Sequence, residues 1–384
     1  MPRDPQHRSS VWLVGGATAF TLLGDQALYS TVPVYFDELG LRAVQVGIIL
    51  SANRWIRLLT NEVAHRAVGR LDQRLLFAGA VALGAITTAT YASTPGFALF
   101  LGARLAWGLA WSFIRHLSVL SVLEASGAER SGRSAGLLGG ISRTGSIGGL
   151  LGGALLVDWL GFGPALAILS VVSLAALPLV WVGFVPVTGR AQGRSEADRT
   201  TATTRGLAFT HGMVGPGLVM ATLGAVLDER LTTTGWWSAA SLTGTVLAMR
   251  FLLESVAAPR LGGVTDRWGI HRAATGFFGL GSGALVVATL SPSLPLLIGA
   301  VVLFFVSGTA LGAGLMGDSG RRGSRVLAHY VTANDLGAAS GPLLGWIALA
   351  VFDERRLGLA IGAVLYALSA LTARRLGESQ KLSE

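Results

Sequence analysis

Gly262–Arg272 reads GGVTDRWGIHR, a short polar and basic segment between two long apolar runs, 236–258 before it and 273–290 after it. A helix that crosses a bilayer needs about 20 mostly apolar residues. Working outward from this segment, the same alternation of apolar run and short polar loop fills the chain. Twelve spans are predicted, at 11–36, 44–64, 75–93, 97–120, 135–157, 161–184, 206–227, 236–258, 273–290, 295–316, 326–350 and 357–374. Composition points the same way: 51% of the residues are hydrophobic and 13% charged, where a soluble domain carries about 25% charged. The fold class is therefore an all-α polytopic membrane protein. The absence of cysteine excludes disulfides, thiolate metal sites and a cysteine nucleophile. The basic start MPRDPQHRSS precedes a run too long for a signal-peptide core and without a small-residue cleavage site, so it reads as the flank of an uncleaved first span.

The longest polar stretch, around VTGRAQGRSEADRTTATTRG, lies near the middle of the chain. It divides the sequence into an N-terminal tail (1–10), a six-helix half (11–184), a linker (185–205), a second six-helix half (206–374) and a C-terminal tail (375–384). The net charge of +9 follows one side of this arrangement. Of the thirty Lys and Arg residues, twenty fall on the tails, the linker and the loops that share their side; four, Arg42, Arg230, Arg355 and Arg356, fall on the other; six lie inside spans. Basic residues mark the cytoplasmic side, so both termini are expected in the cytoplasm, with the arginines near anionic lipid. A nucleic-acid partner is not expected.

The quoted segment has the pattern G-x-x-x-D-R-x-G-x-x-R, formed by Gly262, Asp266, Arg267, Gly269 and Arg272. It resembles the loop signature of the major facilitator superfamily, found between helices two and three and between eight and nine. Gly262 is expected to let two helix ends approach closely, Asp266 to complement the N-terminal end of a neighbouring helix, and Arg267 and Arg272 to bind acids or carbonyls nearby. The first-half copy, HRAVGRLDQR at His65–Arg74, keeps Arg70 but has Gly69 in place of the acid. The offset of 197 between the copies fits an internal repeat of half the chain. RLAWG at Arg104–Gly108 resembles the family's fourth-helix motif, whose arginine is associated with proton transfer in proton-coupled members. GAASGPLLGW, with Gly341, Pro342 and Gly345, resembles the antiporter motif, although it lies in the eleventh span; the fifth span has Gly145 and Gly149 in GSIGGLLGG, with glycine where the motif has proline. Small-residue runs of this kind also serve simply for close helix packing. The resemblance, over about residues 10–375, implies the family's fold of twelve transmembrane helices in two pseudo-symmetric six-helix bundles.

Arginine at the bilayer centre costs about 2.5–3.5 kcal/mol or more, so Arg54 and Arg57 in SANRWIRLLTN need partners. In this family helix two packs on helix eleven and helix five on helix eight. Arg57 would then lie roughly 10 Å from the cytoplasmic end and Asp335 roughly 13 Å deep. The pairs Arg57–Asp335 and Arg143–Glu254 are expected across the two seams as an inter-bundle gate, with Arg250–Glu254, four residues apart on one helix, as the competing pair. No partner for Arg54 is evident, and Asn53 beside it is expected to line the cavity. Asp25 and Gln26 lie well inside the first span, and Asp25 and Arg104 fall at similar depth. Relatives with an acid in helix one working with this arginine make the pair a candidate proton and substrate site. Its alternative is a static helix–helix ion pair. Arg104, Gly108, Trp111 and Arg115 recur on one helical face, suited to an anionic or aromatic solute. His116 and His211 read as packed or hydrogen-bonded residues rather than proton carriers, and Trp107 as packing.

No spacing resembles a metal site, a catalytic triad or a phosphate loop, and no cofactor is expected. The reading is a transporter rather than an enzyme. It exports a small-molecule substrate in exchange for protons, as a monomer in membrane lipid, with a prokaryotic inner membrane as its location. Uptake by a symporter or facilitator, of an organic anion for instance, and a non-transporting membrane sensor or scaffold are the alternatives.

Overall fold

The structure is a computed structural model that describes residues 5–94, 96–126, 131–187, 202–231 and 238–383. Most of the expected linker, residues 188–201, lies outside the described residues, as do Arg3, Arg130, Arg190, Arg194 and Arg199 among the charges assigned to the cytoplasmic side. Among the described residues there is no β-strand.

The helices are α1 (Pro5–Tyr35), α2 (Ala43–Val68), α3 (Gln73–Ala92), α4 (Gly96–Ser126), α5 (Ser131–Ile147), α6 (Gly153–Leu160), α7 (Phe162–Ser173) and α8 (Ala176–Gly183). They continue as α9 (Ala202–Gly212), α10 (Met220–Arg230), α11 (Ala239–Val256), α12 (Ala258–Trp268), α13 (Ile270–Leu290), α14 (Leu294–Arg321), α15 (Ser324–Phe352) and α16 (Leu357–Ser383). π-Helical turns join α5 to α6 at Gly148–Gly152 and α9 to α10 at Met213–Val219. The second contains Pro216, which has no N–H to donate and clashes with the preceding turn, so the wider spiral accommodates it. Among the described residues nine helices are long and apolar enough to cross a membrane.

The structure departs from the sequence reading at two places, within the second half and at its C-terminal end. The segment read as a loop is itself a helix, α12. Leu261, Val264, Thr265 and Trp268 recur at helical spacing opposite Arg260, Asp266 and Arg267, and Thr265 is buried. At the far end, α16 runs on through most of the expected tail, supported by an Arg374–Glu378 pair of 2.9 Å one turn apart.

The chain divides into two compact units. The first comprises Met1–Leu41, Ala52–Gln192 and Ala240–Ala248. Its apolar core is built from α1, α3, α4 and α8, through Val14, Leu22, Phe77, Val81, Trp107, Ile114 and Val180. Helix association in lipid gains little from hydrophobicity and relies on close packing at small residues. Gly145 lies directly on the backbone of Ala19, and Gly149 on that of Leu23, which draws α5 and the first π turn onto α1. Asp72 of the degraded motif copy caps α3 by accepting from Leu75 N–H at 2.8 Å. Next to it, Gln73 holds Val187 by 2.8 and 3.2 Å bonds, and Arg74 donates to the Phe184 carbonyl, which fixes the chain leaving α8.

The second unit comprises Arg42–Ser51, Gly193–Ala239 and Met249–Glu384. Here α15 rides on α9 and the second π turn. Gly341 faces Leu218 N and the Gly217 Cα, Gly345 faces Thr222, and Pro342 sits between them within the helix. Trp346 is fully buried and donates to the Ala221 carbonyl at 3.0 Å. Helix C-termini leave carbonyls without partners, and arginines at one end of this unit satisfy them. Arg230 donates to Ser291 and Pro292, Arg356 to Thr289 and Ser291, and Arg355 to Ala225 and the Asp228 carboxylate.

Three expectations for the GGVTDRWGIHR motif need correction. The close approach falls not at Gly262, where an added Cβ would meet Ala313 at an ordinary 3.7 Å, but at Gly314, which faces Thr265 at 2.7 Å. Arg267 and Arg272 are exposed; Asp266 is paired instead with Arg321 of α14, at 2.8 Å, near the C-terminal end of α12 rather than at a helix N-terminus. Gly269 has a local reason of its own: its φ of +75° turns the chain from α12 into α13.

Candidate functional site

The first unit places Asp25, Gln26, Asn53 and Arg104 together inside the protein. Asp25 is 4% exposed, Gln26 9%, Asn53 6% and Arg104 0%. The Asp25 carboxylate is held by three side chains. Its Oδ1 accepts from Arg104 Nη1 and, at 3.3 Å, from Asn53 Nδ2; its Oδ2 accepts from Gln26 Nε2 at 2.9 Å. Removing a carboxylate and a guanidinium from water carries a penalty of several kcal/mol per ion. Mutual charge and charge-assisted hydrogen bonds offset it.

Local sequence explains the meeting. Gly108, one turn beyond Arg104, lets α4 close on α2: a Cβ there would lie 2.5 Å from the Asn53 carbonyl oxygen. Gly84 of α3 receives the Trp107 ring, which would sit 2.8 Å from an added Cβ. Thr60 and Ser112 hydroxyls bond at 2.8 Å and tie α2 to α4 a little further along.

Two residues the sequence reading passed over complete the site. Tyr29 follows Asp25 by four residues and so shares its face of α1. Its hydroxyl lies 3.5 Å from Arg104 Nη2. The Arg54 and Arg104 guanidinium carbons stand 5.4 and 5.8 Å from its ring centroid, so the ring partners both cations through its π face. The Tyr29 ring is thus one partner of Arg54, and the i, i+4 spacing from Asp25 was the signal that could have pointed to it. Tyr91 of α3 is stacked on Phe100 at 4.8 Å, within electrostatic reach of Arg104 and Asp25. Among the described residues, two buried polar atoms here, Gln26 Oε1 and Asn53 Oδ1, have no hydrogen-bond partner, while the Tyr91 hydroxyl faces Arg104 and Thr87. Such atoms are rare in folded proteins and costly.

The rest of the α4 stripe is distributed differently. Trp111 stacks beside Trp107 at 6.0 Å against the apolar core, Gly108 is used in packing, and Arg115 is exposed. The expected single wall of Arg104, Gly108, Trp111 and Arg115 therefore does not form, because core packing claims the middle of the face. Of the four expected gate residues, Arg57 and Arg143 are half-buried in the first unit and Glu254 and Asp335 half-buried in the second. Glu254 accepts from Arg250 Nε at 3.0 Å along α11. His116 meets His65 edge-on at 5.6 Å, and both ring nitrogens of His211 are hydrogen-bonded.

Comparison with known proteins follows the same fold. No match was found among curated proteins. A bacterial homolog of the human lysosomal transporter Spinster superposes with a TM-score of 0.82 at 11% identity, covering 97% of each chain. The nucleoside transporter NupG gives 0.76 at 12%, over 96% of this chain and 98% of its own. The POT family transporter PepTSo gives 0.76 at 10%, over all of both chains. Identities this low carry the fold alone. The sequence itself matches the Major Facilitator Superfamily over residues 14–316, most of its length. This multi-pass membrane protein thus belongs to the Major Facilitator Superfamily, a family of membrane transporters.

Proposed function

We propose that the protein exports a small organic solute in exchange for protons, with Asp25 as the residue that takes up and releases the proton. Twelve spans in two six-helix halves, both termini in the cytoplasm and a prokaryotic inner membrane complete the reading. The observation that carries it is the buried Asp25–Arg104 pair beside Gln26 Oε1 and Asn53 Oδ1, which have no hydrogen-bond partner among the described residues. A pair serving only to join two helices gains nothing from orphaned polar atoms around it. A pair that opens during a cycle needs alternative partners within reach. When Asp25 is protonated its hold on Arg104 weakens. The guanidinium then turns toward the neighbouring acceptors or an anionic or aromatic group of the solute, while Tyr29 keeps it and Arg54 oriented. Solute binding and protonation thereby compete for Arg104.

The test is thermal stabilisation of the purified protein by a diverse panel of small organics, at about pH 5.5 and about pH 8. A stabilising compound is expected to bind more weakly at the lower pH, and Asp25→Asn is expected to abolish that difference. A compound indifferent to both pH and the substitution removes Asp25 from coupling and favours a facilitator.

A further inference from the structure

We propose that the second unit carries a binding site for an anionic phospholipid, in a groove between α13 and α16 that ends at Arg230 and Arg356. The proposal rests on neither Asp25 nor Arg104. One face of each helix lines the groove. Ser282, Val286 and Thr289 recur at i, i+4 and i+7 along α13, and Ala360, Ala363 and Ala367 at i, i+3 and i+7 along α16. Gly362 against Leu285, and Gly281 against the Tyr366 ring, bring the two helices close. The three small alanines leave a hollow of about 310 Å³ beside that contact. Both hydroxyls in it are already used: Ser282 donates to the Ala363 carbonyl and Thr289 to the Leu285 carbonyl, each at 2.8 Å. The lining side chains thus keep no donor for a polar solute, and Val286 is exposed. Such a trough on the surface of a membrane protein suits an acyl chain.

The end of the groove is built differently. Arg356 precedes Ala360 by four residues, and its carbonyl accepts from Ala360 N–H, so it heads the same face of α16. Its Nη1 donates to the Thr289 and Ser291 carbonyls, at 3.0 and 3.2 Å. Arg230 of α10 donates to the same Ser291 carbonyl through Nη2 at 2.9 Å, and to Pro292 through Nη1 at 3.2 Å. One guanidinium is enough to satisfy the Ser291 carbonyl; the second sets a like charge beside the first. Among the described residues neither guanidinium has a carboxylate partner. Asp228 is taken by Arg355, and Glu354 accepts from the Arg356 backbone N–H rather than from its side chain. The N-terminal end of α16 adds further positive potential. A phosphate here would neutralise both cations through guanidinium donors that the carbonyls leave unused. Only four basic residues are expected on this side of the membrane against twenty on the other, and two of the four stand at this groove. An apolar trough headed by two cations matches an amphiphile with an anionic head, which the membrane supplies as phospholipid.

Native mass spectrometry of the purified, full-length protein, titrated in detergent with phosphatidylglycerol or phosphatidylcholine, tests this without a transport assay. One phosphatidylglycerol is expected to bind more tightly than phosphatidylcholine. Arg230→Gln and Arg356→Gln should each weaken it about fivefold and affect phosphatidylcholine less. Ala367→Phe fills the trough without touching either arginine and should weaken both lipids, so the proposal stays testable if loss of an arginine prevents folding. Excess inorganic phosphate is expected not to displace the lipid. Equal affinity for the two lipids, or phosphatidylglycerol binding unmoved by Ala367→Phe and by the arginine variants that fold, would overturn the proposal and leave Arg230 and Arg356 as caps of α13. Displacement by inorganic phosphate would overturn it in favour of a free anion.

Discussion

Arg104→Ala is expected to lower the unfolding free energy by about 3–5 kcal/mol, because it leaves the Asp25 carboxylate buried without its cation. The hydrogen bonds from Gln26 and Asn53 cannot replace a full charge. Asp25 would have to become neutral or draw water into the helix interface. Asp25→Ala alone should be comparably damaging, since Arg104 is fully buried. The double change removes both charges together and should cost clearly less than the two single effects summed. The difference between these costs is the coupling energy of the pair. Equilibrium unfolding of the four proteins in one detergent measures it, and simple additivity would mean that the two charges do not depend on each other.

Gly341→Leu is expected to cost about 1–3 kcal/mol or more and to lower the yield of folded protein. A Cβ at this position would lie 2.5 Å from Leu218 N and 2.7 Å from the Gly217 Cα. These are backbone atoms of the second π turn and cannot swing aside as a side chain can. Accommodation requires α15 to lift off the turn along the stripe that Gly337 and Gly345 continue. Gly299→Ala on α14 provides the contrast. Nothing lies within 4 Å of its Cβ position, so helix propensity alone applies and the change should be neutral or stabilising by up to about 1 kcal/mol. Retained stability in Gly341→Leu, measured by thermal unfolding, would show that the contact between α15 and the π turn is looser than described.

The spans were legible because an apolar run long enough for lipid has few other uses, and the fixed rise of a helix turns position in the run into depth. That arithmetic brought Asp25 and Arg104 to one level before any contact was known. It could not show what surrounds them. Tyr29 reads as one more aromatic residue in an apolar span, and only its spacing from Asp25 marks it. Trp111 shows the converse failure: periodicity put it on the Arg104 face, and core packing decided where its ring went. α12 escaped notice because Gly262 and Gly263 look like loop residues until Thr265 and Trp268 are seen at helical spacing. The role of Gly262 was misplaced for a related reason, since a close approach needs one glycine and the sequence does not say on which helix. Here it is Gly314.

The central claim, that Asp25 ties proton movement to solute movement, is tested most directly by flux. A compound that stabilises the purified protein would be loaded into liposomes carrying either the native protein or Asp25→Asn, and its exit followed with and without a proton gradient directed inward. The account predicts that the gradient accelerates exit at least about tenfold, equivalent to about 1.4 kcal/mol, and that this acceleration is absent in the variant. Exit through the native protein at the same rate with and without the gradient would contradict it.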